Sequence, residues 1–337
     1  MRLPWVYIGQ RLVSVIPILL GVTFLVVAAT DLIPGSPAEA LSSRGAFSQE
    51  QIAEIEAELG WDKPLAVRYF SYLERVVLHG DLGRSFRDRS RDIRTDLLSK
   101  VPATAELTLS AMLIAMVLGI SIGIAAALKP ASLIDYGSMM VALLGISFPV
   151  FWLGLMLQIL IFPAVQRLPF SADIDPVTGF FVIDTLLYGE PGTFLSCLKH
   201  LALPATALST IPMAIIARMT RASMLEAMSQ DYVRTARAKG LSNHAIVLKH
   251  GLRNALIPIV TVAGLQLAAL LGGAVLTETV FQWPGLGFYI FEAAITKDLP
   301  ALQGAVLFIA VVFTLLNLCV DISYGVIDPR IRVGVRT

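Results

Sequence analysis

Six long apolar stretches limit what this chain can fold into. They cover about 12–29, 105–128, 138–165, 201–217, 256–276 and 301–326. A helix needs roughly 20 mainly apolar residues to cross about 30 Å of hydrocarbon, where an unpaired backbone group finds no partner. The stretches therefore predict an all-α integral membrane protein with six transmembrane helices. Composition agrees, with 56% of the 337 residues hydrophobic and 15% charged, against about a quarter charged in soluble domains. Cations precede the first stretch as they do in a signal peptide. It lacks a convincing small-residue cleavage site and continues into TDLIPGSP, so it is read as a retained span.

Loop charge predicts the orientation. With the N-terminus inside, the inner segments hold thirteen Lys and Arg, seven of them between Arg218 and Arg253, while the short outer loops hold three. Cytoplasmic loops carry the excess, so both termini are expected in the cytoplasm. The domains expected are a cytoplasmic tip with the first helix (1–30), an external, periplasmic helical segment (31–100), a transmembrane core (101–326) and a cytoplasmic tail (327–337). Within the external segment, SQEQIAEIEAELG predicts a helix capped by Ser48 with Gln51 and stopped by Gly60. PLAVRYFSYLERVVL predicts a second helix, opened by Pro64. The pair makes either a helical cap over the outer mouth or a solvated linker.

Several functions find no support. A net charge of +1 gives no reason to expect nucleic acid. The chain has no GxxxxGK[ST] loop for ATP and neither HExxH nor GxSxG, and its histidines show no metal-ligand spacing. Cys197 and Cys319 are not expected to pair. No catalytic, cofactor or metal residue is expected, and the chain is not read as an enzyme. A proton-driven secondary transporter working alone would be expected to carry a central carboxylate and an inverted repeat, and neither is found. Polar groups within the spans are few. Glu106, Gln158, Gln266 and Asn317 are the candidates for lining a pore, and Asp321 sits near the inner end of the sixth span. Gly119 and Gly123 have GxxxG spacing, which lets helices approach closely. Pro17, Pro149, Pro204, Pro212 and Pro258 each favour a kink.

The stretch RTARAKGLSNHAIVLKHGLRNALIP, residues 234–258, packs five cations and two histidines between apolar spans with no acid. It parses as helix, glycine turn at Gly240, and helix restarting at Ser242. A basic helix of this kind can lie on anionic headgroups. The pattern is more particular than that. Leu225, Arg234, Thr235, Ala236, Gly240, Leu241, Val247, Leu252 and Arg253 have the spacing of the EAA loop of ABC importer permeases, which they resemble, although Arg234 and Thr235 stand where Glu and Ala would be. Ala236 and Ala238 offer a small-sided face, and Arg237 and Lys239 join Arg234 as cations for acids on another protein or for headgroups.

The likeness extends along almost the whole chain to the dipeptide, oligopeptide and nickel permease group, most closely to dipeptide permease B subunits. It is carried by LIPGSPAE, LGWDKPL, HGDLGRSF, PATAELTLSA, MTRASMLEAMSQDYVRTARAKGLS, HGLRNALIP, LTETVFQWPGLG and DPRIR. Ser36 departs from it, where the family usually has Asp. The resemblance implies the type I ABC importer permease architecture with a cytoplasmic coupling helix. The implied partners are a homologous second permease, two ABC ATPase subunits that hydrolyse the ATP, and a periplasmic solute-binding protein delivering peptide substrate. It also implies a multi-pass place in the bacterial inner membrane. Nickel chelates, glutathione and longer peptides are the alternative cargoes. In FQWPGLG, Trp283 is expected at the lipid–water interface, and Pro284, Gly285 and Gly287 are expected to shape a re-entrant turn. By resemblance these residues and Glu278 are candidates for an outer gate or a surface facing the binding protein.

Overall fold

The computed structural model describes residues 5–32, 50, 63–86, 88, 90–160 and 177–327. Among these residues the regular structure is helical, apart from one isolated bridge between Arg84 and Asp92. The helices are α1 (Trp5–Leu32), α2 (Leu65–Glu74) with a π-helical turn Arg75–His79, α3 (Ile93–Leu128), α4 (Leu133–Ser147), α5 (Val150–Leu160) and α6 (Phe181–Tyr188). They continue with α7 (Pro191–Ser229), α8 (Asp231–Ala238), a short start at Asn243–Ala245 running into a π-helical turn Ile246–Leu252, α9 (Arg253–Phe281), α10 (Leu286–Ile295) and α11 (Leu299–Ile327). The predicted helix over 48–60 and the motifs LIPGSPAE and DPRIR lie wholly or largely outside the described residues.

Among the described residues, each of the six predicted spans falls on helix, the third as far as residue 160. By length and apolarity four described helices qualify to cross a membrane, or five if the bent pair of α4 and α5 is one span. The first predicted span is the apolar run Val13–Ala29 of α1. The third is not one straight helix. Its two halves meet at 105°, because the ring of Pro149 drives the preceding residue out of the helical region. Phe148 is accordingly extended, at φ −94° and ψ 136°. The four other prolines stay inside unbroken helices.

Two compact units are present. The first comprises Met1–Val101 and Gly285–Leu318. Its core joins Val27 of α1, Tyr72 of α2, Ile93 and Leu97 at the start of α3, and Ala301 and Ala305 of α11. The predicted second external helix is α2, preceded by Pro64. It rests on α1, with the Tyr69 ring edge-on to Phe24 at 5.6 Å and its hydroxyl donating to the Leu20 carbonyl at 3.2 Å. Asp298 is buried here. Its carboxylate accepts from Ser85 Oγ at 2.5 Å, the Phe86 amide at 3.1 Å and the Ala301 amide at 3.3 Å. It thus caps α11 and pins the loop made by HGDLGRSF.

The second unit comprises Pro102–Pro284 and Cys319–Thr337. The long helix α7 is its axis, touching α4, α5, α6, α8, the second π-turn and α9. Lipid gives helices no hydrophobic reason to associate, so close packing must hold them. Gly119 and Gly123 of α3 meet α7 in this way. A Cβ on Gly123 would lie 2.5 Å from Thr220 Cβ and 2.6 Å from the Ala217 carbonyl, and one on Gly119 2.8 Å from the Met213 carbonyl. Large apolar side chains such as Leu113 and Val141 remain exposed on the outside, as a lipid-facing surface requires.

Candidate functional site

The basic stretch folds as helix, turn, helix. Helix α8 ends in a left-handed glycine, Gly240 at φ +75°. The Gly240 amide donates to the Arg237 carbonyl at 3.0 Å and the Leu241 amide to the Ala236 carbonyl at 3.3 Å. This pair of bonds is a Schellman closure, which satisfies carbonyls that the helix leaves open. Ser242 then caps the next helix, accepting from the Ala245 amide at 3.3 Å. That helix passes through the π-turn into α9, so the second half of the loop is continuous with a predicted span.

The loop has a small core of its own. Val233, Ala236 and Ile246 are buried together, with Met228 from the end of α7 packed against them. Gly251 lies beneath the same helix end, and a Cβ there would be 3.0 Å from Met228 Sδ and 3.1 Å from Met224 Cε. Ala236 therefore faces its own chain. Its small side chain serves internal packing and not the outward face expected of it. Ala238 is exposed, as are Arg234, Thr235, Arg237, Lys239 and Leu241. Arg234 reaches Asp231 at 3.5 Å, with both side chains mostly in solvent, a contact worth little. The cations thus stand on an outward face. Leu225 and Leu252 are half-buried, Val247 is buried and Arg253 opens α9.

Another polar cluster forms where α3, α6 and α9 meet. Glu106 is buried, and its carboxylate accepts from the Phe181 amide at 3.0 Å and the Val182 amide at 2.7 Å. A helix leaves its first amides without partners, so Glu106 caps α6 from 75 residues away. Thr104 Oγ1 donates to Glu278 Oε1 at 2.7 Å, tying α3 to α9. Trp283 is only 3% exposed. Its indole donates to the Ala103 carbonyl at 2.8 Å and meets the Phe181 ring edge-on at 5.4 Å. The expectation of an indole at the lipid–water interface does not hold, because the hydrogen bond and ring contact hold it inside. Gln282 turns the chain ahead of it in the left-handed region.

Asp184 was not anticipated. It accepts from the Thr178 amide and hydroxyl and from the Gly179 amide at 2.7–2.9 Å, building the turn that starts α6. Burial works to raise its pKa, but these hydrogen bonds outweigh burial and hold the carboxyl below its ordinary value. Its contribution to stability is therefore present at neutral pH and lost as pH falls through that lowered value.

The other predicted residues are dispersed. Gln158 and Gln266 are half-buried in α5 and α9, and Asn317 bonds the Phe313 carbonyl of its own helix at 3.0 Å. Glu278, Trp283 and Pro284 belong to the second unit, while Gly285 and Gly287 open α10 in the first. Glu106→Ala is expected to cost about 1–3 kcal/mol of local stability, the penalty for stranding buried amides. Hydrogen exchange should speed up at residues 181 and 182 and not in α7.

Residues 119–333 match the family described as the binding-protein-dependent transport system inner membrane component, and residues 5–108 match its N-terminal companion. The chain belongs to this family. It is an inner-membrane transport component, as the resemblance implied. The di/tripeptide transport system permease protein DppB of Pseudomonas aeruginosa is 48% identical over 332 residues, covering 97% of this chain and 98% of the relative. The dipeptide transport system permease protein DppB of Escherichia coli K12 is 44% identical over 335 residues, with 97% and 98% covered. The namesake from Alkalihalophilus pseudofirmus is 46% identical over 332 residues, with 97% and 99% covered. These relatives of the family are permeases.

Proposed function

We propose that this chain is the permease subunit of an ATP-driven importer that passes dipeptides or short peptides inward. The observation that carries the mechanism is the exposed basic helix α8, folded with its glycine turn and π-turn onto the end of α7. A surface element with its own core can receive force without unravelling. The substrate class rests on the near full-length similarity to dipeptide permeases. In this reading both termini are cytoplasmic, as the loop charges suggest. The loop docks on one of two ATPase subunits that hydrolyse the ATP. A homologous second permease supplies the other half of the path, and an external binding protein delivers the peptide. Closure of the ATPases moves α8 as a rigid body, and α7 and α9 move with it. Glu278, Trp283 and the glycine turn after them are proposed as part of the outer gate.

The test is a mild-detergent pull-down of the tagged chain from its native host, with ATP hydrolysis measured on adding dipeptide and binding protein. Recovery of an ATPase and a second permease, with hydrolysis raised by loaded binding protein, is the expected result. A chain that purifies alone with no associated hydrolysis returns α8 to a basic membrane-surface helix.

A further inference from the structure

We propose that the ion pair between Asp135 and Arg221 is the joint through which the coupling loop moves α4, making these two positioning residues for transport. The proposal rests on the function proposed above. Arg221 lies on α7 two turns before that helix ends at Ser229, and α8 begins after a single intervening residue. Met228 packs into the loop core, and Met224 and Met228 both cover Gly251. The end of α7, α8 and the π-turn thus form one packed body. A push on α8 passes through this packing to the end of α7, and from there along continuous helix to Arg221.

On the other side of the joint stands α4. Its only buried side chains are Asp135 and Ala142, while Leu133, Tyr136 and Met140 around its base are exposed. A Cβ on Gly137 would meet nothing within 4 Å. Helix α4 packs along α7, and Asp135 is the buried side chain nearest its base. The carboxylate accepts from Arg221 Nε at 2.5 Å and Nη2 at 2.7 Å, and from the Ala131 amide at 3.0 Å. The Asp135 side chain is 3% exposed and that of Arg221 31%.

Two parallel bonds fix orientation as well as distance, which a lysine could not do. Removing Arg221 leaves the buried Asp135 carboxylate without its charged partner, the costly half of breaking such a pair. The joint therefore holds under load and passes on rotation. Movement delivered to the base of α4 is then carried across the 105° bend to α5. There Gly154 packs against Phe281 at the end of α9, where a Cβ would be 2.9 Å from the ring. The base of α4 is thereby tied to α7, and the middle of α5 to the end of α9.

The experiment uses the whole complex in proteoliposomes, measuring uptake of a labelled dipeptide and ATP hydrolysed in the same preparation. In Arg221→Met and Asp135→Asn the ATPase should still co-purify and hydrolyse ATP, while uptake per ATP falls roughly tenfold, within the range of coupling between sites. Arg221→Lys keeps the charge without the two-point contact and should fall between these and the parent. The double exchange Asp135→Arg with Arg221→Asp should recover part of the ratio. An unchanged ratio in both single variants overturns the joint. So does a fall in uptake and hydrolysis together in proportion to folded protein, which marks a structural staple only. Should the parent chain fail to bring down an ATPase or to take up the dipeptide, the proposed function fails, and the joint with it.

Discussion

Replacing Gly123 by leucine is expected to abolish accumulation of folded protein. At this position α3 and α7 are in backbone contact, with the Ala217 carbonyl 2.6 Å and Thr220 Cβ 2.5 Å from where even a methyl group would sit. Neither is the far end of a flexible side chain, so neither can swing aside. Ordinary overpacking of a core costs about 1–3 kcal/mol. Here two helix backbones must separate, and the cost should exceed that range. Little else compensates, since packing is the main force that joins helices in lipid. Gly137→Leu is the control. It lies on an open face of α4 and loses a poor helix former, worth up to about 1 kcal/mol in favour of the helix. Size-exclusion profiles in mild detergent should show a monodisperse peak for the second variant and aggregate or nothing for the first. Similar profiles for both would mean that α3 and α7 are not packed this closely.

Ala236→Glu is expected to eliminate transport while the spans remain folded. The side chain is 4% exposed among Val233, Ile246 and Met228, and a carboxylate there would be desolvated with no partner offered. Stranding a charge of this kind costs several kcal/mol or forces the group to neutralise. The cheaper response is for α8 to peel away from the end of α7. Gly240→Pro should act alike, because proline cannot adopt φ +75° and would remove the amide bonded to Arg237. Ala238→Glu separates two explanations. That residue is exposed, so its carboxylate disturbs only what docks on α8, and the loop itself should stay folded. Limited proteolysis within 231–252 should increase for Ala236→Glu and Gly240→Pro and remain at the parent level for Ala238→Glu. If all three variants transported normally, docking at α8 could not be maintained.

Much of the architecture was legible because membrane helices obey one dominant constraint. Length and apolarity mark the spans, GxxxG marked a face of α3 that another helix can approach closely, and glycine followed by a serine cap marked the turn after α8. The side chains of that turn were harder to assign. Ala236 and Ala238 look alike in sequence, yet the helical phase of α8 buries the first and exposes the second. Trp283 was misplaced because indole suits an interface in general, while its partner carbonyl at Ala103 is 180 residues away.

Chemical composition along the chain by itself determined the class: all-α, membrane-spanning, with a basic loop between two late spans. Hydrophobic length and local capping are properties of neighbouring residues, so no tertiary information is needed to read them. Only the tertiary structure decided which polar groups meet. Glu106 with the amides of α6, Thr104 with Glu278 and Asp135 with Arg221 are pairs separated by 75 to 174 residues. A buried polar group must find a partner wherever the fold supplies one, and sequence distance places no limit on where that is.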